Sequence, residues 1–368
     1  MDIFNLKWSI LFAVTVISYG VYLSKKYHYL AGLLFSFISI NTIYTFAWPN
    51  NLYSQFPITV QNSIKGTSGI AFISMFLVVI LADFIAKKKI NIFLIFVALC
   101  NSIFIIYQTT QGLDYWKRVG FFDNISLSGG LIALLIPMIL NIKDKKIMFS
   151  LLPIPLVAIY CCQSSVAIGV LGLTLSAYAF MSIKRKWLAL LLIPLAIGIG
   201  AITDKDLFNG STRIQNYKIQ TSAFLEDEIC YPQNNKTVCW NNGNVFTGYT
   251  QGTFSFWAFI AQVRHSLYID KGKNGELIQF LHNDYLQMLF ENGLIGLLLS
   301  LALASLLAFM AWGNALLFST LIGFYGFMLF HYPIHYPLQA LVGAYIAARI
   351  MLSHKEKGLK QERLYNEA

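Results

Sequence analysis

Apolar residues along this chain gather into runs that approach the ~20 positions a helix needs to cross a bilayer. The runs recur from one end of the sequence to the other, and about eleven are expected to be membrane helices. They lie near residues 9–23, 29–47, 67–86, 91–107, 126–141, 147–162, 165–182, 187–203, 285–311, 314–330 and 336–353. Pro153, Pro155 and Pro194 fall within the shorter runs, where neighbouring helices can satisfy the backbone groups a proline frees. One stretch breaks the pattern. Residues 204–284 are polar over roughly 80 positions, far beyond an ordinary connection. The expected fold is therefore all-α, a polytopic membrane helix bundle of about 11–12 transmembrane helices with one large, partly helical loop. Three segments follow: an N-terminal bundle over 1–203, the loop over 204–284, and C-terminal helices with a basic tail over 285–368.

The loop carries helical signals of its own. Thr212 and Gln215 fit a capping box, with Thr at the N-cap and Gln three positions on. Ile214, Tyr217, Thr221 and Leu225 then follow at helical spacing. Farther along, Phe256, Phe259, Ile260, Val263 and Leu267 form one apolar stripe. That stripe suits an amphipathic helix lying at the membrane surface, or equally a helix packed inside the loop.

Composition agrees with the spans. Only 12% of the 368 residues are charged while 57% are hydrophobic, against roughly 25% charged in a soluble domain. Too little polar material remains to coat a soluble protein of this size. The formal net charge of +10 mostly reports topology. Lys25-Lys26, Lys87-Lys88-Lys89, Lys143 to Lys146 and Lys184-Arg185-Lys186 fall in every second connection, and the tail beyond His354 shares their parity. The positive-inside rule places all of them in the cytoplasm. Segments 48–66, 108–125, 204–284 and 331–335 then face the opposite side. No basic stretch interleaved with aromatics suggests nucleic acid. No cleavable-signal pattern precedes the first span, which is expected to be retained. Paired broken helices of the kind that mark many transporters are not apparent in the sequence.

Of five cysteines, Cys100, Cys161 and Cys162 lie in or beside spans, where a thiol behaves as a small apolar group. Cys230 and Cys239 lie in the loop. In an oxidising compartment they would close a short ring worth on the order of 2–3 kcal/mol. A zinc site is the rival, though two thiols without a nearby His make half a site.

Five residues at four places carry candidate chemistry. His282, where the loop re-enters the membrane, suits a general base near neutral pH; alternatively it caps a helix beginning at Asn283. Arg213 stands beside an expected helix N-terminus, a natural place for phosphate or pyrophosphate, unless it pairs with Asp204 or Asp206. Lys117-Arg118 runs against the positive-inside trend on an outer connection, which lipid headgroups alone would also explain. Glu291 lies about two turns inside a span, where an ionisable group is a functional candidate or a hydrogen bond to a neighbouring helix. Gly293 and Gly296 would permit close helix packing there. Phosphate-cradling glycine loops, nucleophile elbows and His-rich metal motifs are absent from the sequence, so no metal and no cofactor is expected.

These residues also form a pattern. His282-Asn283-Asp284-Tyr285-Leu286, continuing through Glu291, Gly293 and Gly296, resembles the His-Asn-x-x-Leu and Glu-x-Gly-x-x-Gly signature of the O-antigen ligase and O-antigen polymerase superfamily. Arg118 to Asn124 resembles its Arg-x-Gly-x-Phe-x-Asn turn. Gln163-Ser164-Ser165 stands where members often have Ser-Arg, so that arginine is missing. Ser211-Thr212-Arg213 fits its loop arginine, followed by Tyr217 rather than Trp, and Gly248-Tyr249 to Phe254 resembles its Gly-rich turn. The resemblance implies a metal-independent glycosyltransferase of the bacterial inner membrane with a periplasmic loop. Its donor would be a glycan on undecaprenyl pyrophosphate, and its acceptor a hydroxyl, with a lipid A–core sugar favoured. It implies His282 as the base and Arg213 and Arg118 on the pyrophosphate; Glu291, within the following helix, is expected to complete the catalytic set. Lys117, Asn283 and Tyr217 are expected to touch substrate. A repeat-unit polymerase and a pilin-type transferase remain alternatives within the superfamily, since Phe330 to Pro337 resembles a late turn of both. A transporter of lipid-linked glycans is the alternative from another class.

Overall fold

A computed structural model describes residues 3–47, 58–88, 90–114, 117–122, 124–183, 228–233, 236–241, 245–249, 252–254 and 282–367, with isolated positions at 189, 191, 217, 221 and 224. Arg213, the capping box at Thr212, the stripe over 256–267 and nearly all of the expected span over 187–203 lie outside the described residues. The described chain is predominantly α-helical, as the hydropathy pattern leads one to expect. Asn91–Thr110, Lys145–Cys162, Ser165–Ser182 and Asp284–Ala311 are long and apolar enough to cross a bilayer, while Tyr29–Ile43, Ile70–Ile85, Ile125–Leu140 and Ala315–Phe330 are apolar but shorter. Large apolar side chains stand exposed along them, with Ile92 81% and Phe96 61% accessible. Such faces suit a hydrocarbon surrounding rather than water.

The chain forms two compact units, one from residues 1–77 and 212–305, the other from 78–211 and 306–368. In the first, α1 (Ile3–Lys26) and α2 (Tyr29–Ala47) form a hairpin. Small residues let the two approach, since a Cβ on Gly20 would meet the Ser36 hydroxyl. A third helix, α3 (Ile58–Ile85), begins in this unit.

The same unit holds the only strands among the described residues, β1 (Glu228–Gln233) and β2 (Lys236–Asn241), paired antiparallel with Cys230 opposite Cys239. Two residues separate the strands in sequence. In a two-residue hairpin the flanking pair, here Gln233 and Lys236, is hydrogen-bonded, and pairs alternate from there. Pro232–Thr237 and Cys230–Cys239 are then non-hydrogen-bonded pairs. Pro232 supports this phase, because its missing N–H would face away from the partner strand.

In the second unit, α4 (Asn91–Thr110), α5 (Ile125–Leu140), α6 (Lys145–Leu151), α7 (Pro153–Cys162) and α8 (Ser165–Ser182) precede the later helices. Every residue of α5 from Leu127 to Ile139 is buried, which marks it as the central helix. Helices α4, α7 and α8 pack around it. The expected span over 147–162 is two helices in succession. Asp144 caps α6 by accepting from the N–H groups of Lys146 and Ile147, and Pro153 opens α7 at a first-turn position where its missing N–H costs nothing.

Helix α9 (Asp284–Ala311) starts in the first unit, and α10 (Ala315–Phe330) packs on α5 and α8 in the second. After a short 3-10 turn at Pro333–His335, α11 runs from Pro337 to Glu367. It continues well past the apolar run that ends near residue 353, so the basic tail is helical.

Candidate functional site

Among the described residues of the first unit, Tyr217, His282, Asn283 and Glu291 gather at the head of α9. Asn283 caps this helix, its Oδ1 accepting from the N–H groups of Tyr285 and Leu286, each at 3.0 Å. The helix thus begins at Asp284, and the capping alternative for His282 is removed because Asn283 supplies the cap. His282 has a left-handed backbone, φ 57. This conformation is uncommon outside glycine, though His tolerates it better than most residues. Its carbonyl accepts a hydrogen bond from the Tyr217 hydroxyl at 3.0 Å.

Below the cap, Asp284, Gln287, Glu291 and Asn292 are all buried, a polar column at the start of an otherwise apolar helix. Two turns in, α9 is interrupted. Gly293 has φ 64 and ψ −171, a region essentially reserved for glycine. The chain from Val245 to Tyr249 fills the gap. Tyr249 donates its N–H to the Phe290 carbonyl at 3.0 Å, while Leu294 and Ile295 donate to the carbonyls of Val245 and Phe246 at 2.9 and 3.1 Å. The backbone groups left open by the break are thereby paired within the protein. A Cβ on Gly293 would collide with the main chain of Phe246 and Thr247. The expected use of Gly293 for helix packing is corrected: this glycine makes the break. Gly296 does lie close to α2, where its Cβ would meet the Phe37 ring at 3.4 Å.

Glu291 secures the same insertion. Its carboxylate accepts from the backbone N–H groups of Gly252 and Phe254 and from the Gln287 side-chain amide, the last at 3.1 Å. Around it Phe224, Tyr249, Phe254 and Phe290 form a buried aromatic cluster, with Tyr249 and Phe290 centroids 4.8 Å apart. Asn41 of α2 donates to the Thr247 carbonyl at 2.7 Å.

The second unit organises Arg118. Its Nε donates to the Leu113 carbonyl at 2.8 Å and a terminal nitrogen to the Cys161 carbonyl at 3.2 Å, tying the turn to the end of α7. Gly120, φ 63, donates its N–H to the Gln108 side chain at 2.9 Å. Phe121 donates to Asn101 Oδ1 at 2.9 Å, and the Ser128 hydroxyl bonds the Val119 carbonyl. Asn124 caps α5, and Ser126 and Ser164 share a hydroxyl–hydroxyl bond of 3.0 Å. The Arg118–Asn124 turn is thus tied, through Cys161 and Ser126, to the neighbourhood of the Gln163-Ser164-Ser165 landmark. Lys117 points to solvent and pairs weakly with Asp114 at 3.4 Å.

At the same end of this unit, where the Phe327 ring lies against Gly130 near the start of α5, His331 and Tyr332 are buried with ring centroids 4.2 Å apart. His335, half-buried beside them, has its pKa pushed down to about 4 by loss of solvent around the ring. Among the described residues no group of His, Cys, Asp and Glu could hold a metal ion.

The sequence reading missed Asn41, Asn101, Gln108 and Phe224. An isolated asparagine inside an apolar run was the available signal for the first two, because an unpaired amide in hydrocarbon is costly. Searches of family models, curated proteins and solved structures return no match to this chain.

Proposed function

We propose that this chain is a glycosyltransferase of the O-antigen ligase and polymerase type. In this reading it crosses the bacterial inner membrane about 11–12 times and works on the periplasmic face. The observation that carries the proposal is the interlocking of separate sequence landmarks. The Gly-rich turn over 248–254 is stitched into the Glu-x-Gly-x-x-Gly segment of α9, directly below His282. Two landmarks set more than forty positions apart along a chain by chance would have no reason to meet in this way.

The reaction takes a glycan from undecaprenyl pyrophosphate to an acceptor hydroxyl, with a lipid A–core sugar first among acceptors. His282 accepts the hydroxyl proton as the oxygen bonds the anomeric carbon. The bond from that carbon to the pyrophosphate oxygen breaks, and the electron pair leaves with undecaprenyl pyrophosphate. Arg213 and Arg118 stabilise the charge on the leaving group. Repeat-unit polymerisation and pilin glycosylation use the same chemistry on other hydroxyls.

The discontinuous α9 gives a specific reason to weigh a transporter of lipid-linked glycans as the second reading. Transporter half-helices direct free backbone ends at their cargo. Here the ends at Phe290, Leu294 and Ile295 are taken up by residues 245–249, which favours the transferase. Complementation of hosts lacking either the ligase or the polymerase, read on lipopolysaccharide gels, tests the assignment. Capping of core by a ladder means ligase, and restored chain length means polymerase. Full activity from both His282→Ala and Arg213→Ala rejects the mechanism.

A further inference from the structure

His282 owes its placement to backbone geometry, which needs something to hold it. For an L-residue the left-handed conformation brings Cβ too close to the following carbonyl oxygen, so the chain ahead of α9 gains by relaxing unless a contact opposes it. Relaxation would rotate the Cα–Cβ bond and carry the imidazole away. On the helix side the Asn283 cap fixes the following residues. Rotation of the peptide plane after His282 would undo the conformation, and its carbonyl oxygen reports that rotation directly.

That oxygen is held by Tyr217, 65 positions earlier, at 3.0 Å. A phenol has one proton to give, and this one goes to the His282 carbonyl. The same stretch of chain makes a second contact with the head of α9. Phe224, seven positions after Tyr217, is buried against Tyr249 and Phe290, with centroids 5.9 and 5.5 Å apart. Phe290 lies eight positions after His282, so the head of α9 is held at two points about two turns apart.

We infer that Tyr217 is a positioning residue that locks the His282 backbone in the geometry presenting its imidazole, rather than a residue that touches substrate. This rests on the assignment of His282 as the base.

Tyr217→Phe tests it, because the ring and its packing stay while the hydroxyl goes. The assay uses the purified full chain in detergent, with undecaprenyl-pyrophosphate-linked glycan as donor probe and lipid A–core as acceptor probe. Expected are a kcat lower by about tenfold, the worth of one hydrogen bond, unchanged KM for both probes, and wild-type accumulation. A raised KM with kcat intact would put the hydroxyl on a substrate and overturn the inference. An unchanged kcat would overturn it too, as would a loss of activity matched by a loss of folded protein. His282→Ala, run in parallel, separates the two levels. If that variant keeps the wild-type rate, or wild type makes no product, the assigned function fails. If it is inactive while Tyr217→Phe is fully active, only the positioning role fails.

Discussion

Gly248 and Gly293 meet backbone to backbone, and neither position has room for a side chain. Both have positive φ, 72 and 64, and a Cβ on Gly248 would strike the Gly293 nitrogen. The contact closes the interruption in α9 and fixes the turn that follows Val245.

Alanine at either glycine should therefore be poorly tolerated. Backbone strain at Gly293 alone costs on the order of 1–3 kcal/mol, before any collision is counted. The expected outcome is a lower melting temperature in detergent and less protein in the membrane. Gly313→Ala is the control, since nothing lies within 4 Å of a Cβ there, although its φ of 84 carries a strain of its own. Equal behaviour of all three variants would mean that the close approach adds nothing.

Glu291 should reveal itself as a strap. Alanine leaves two buried N–H groups, those of Gly252 and Phe254, without their acceptor, at about 1–3 kcal/mol each. Glutamine keeps one acceptor and sets an NH2 against the other donor. Both Glu291→Ala and Glu291→Gln are expected to lower the melting temperature, with Ala the more severe. A Gln variant as stable as wild type but inactive would instead assign Glu291 to proton transfer.

The two loop cysteines are register partners at a non-hydrogen-bonded pair, where Cα atoms stand about 4.5 Å apart. That separation lies within the range a disulfide spans. Mass mapping without reductant should find Cys230 joined to Cys239. Serine at both positions should cost on the order of 2–3 kcal/mol by chain entropy. Two free thiols in protein exported to an oxidising compartment would refute the bond.

Neighbouring cations at 117 and 118 should behave differently. Lys117 and Asp114 are 48% and 61% exposed, and such pairs contribute ~0–1 kcal/mol. Lys117→Ala should leave stability unchanged. Arg118→Lys loses the guanidinium fork that reaches both the Leu113 and Cys161 carbonyls and should melt earlier than Lys117→Ala. Indistinguishable melting of the two variants would count against an anchoring role.

Stability should also fall on mild acidification because of His335. Burial holds its folded pKa near about 4, below the ordinary value of about 6.5. Above pH ~6.5 neither state takes up the proton, so the contribution is fully present. Between about 6.5 and 4 only the unfolded chain is protonated, and stability drops as pH falls. Melting at pH 7.5 and 5 should show this slope, and His335→Gln should flatten it. An identical slope in the variant would assign the effect to other groups.

Hydropathy made the helix positions legible. The run 29–47 coincides with α2, because apolar content and helix share the same limits there. It failed where helix extends into polar sequence. Helix α3 starts at Ile58 rather than near 67, through Gln61, Asn62 and Lys65, and α11 runs on to Glu367. Backbone hydrogen bonding does not require apolar side chains, so hydropathy marks the span and not the helix. The interruption at Gly293 was illegible for a related reason. Glu-x-Gly-x-x-Gly suits close packing as well as a break, and only the docking of residues 245–249, some 45 positions earlier, decides between them. Phe224 was passed over because the stripe through Leu225 satisfied the same period.

The stitched break in α9 also constrains how the protein is made. Residues 245–249 leave the ribosome before the helix that must receive them, so their carbonyls at Val245 and Phe246 wait for partners not yet synthesised. Until Leu294 and Ile295 follow, nascent chain cannot complete this joint. Formation of the site around His282 is thus a late event in synthesis, and a chain stopped short of Ile295 would carry the candidate base without the scaffold that seats it.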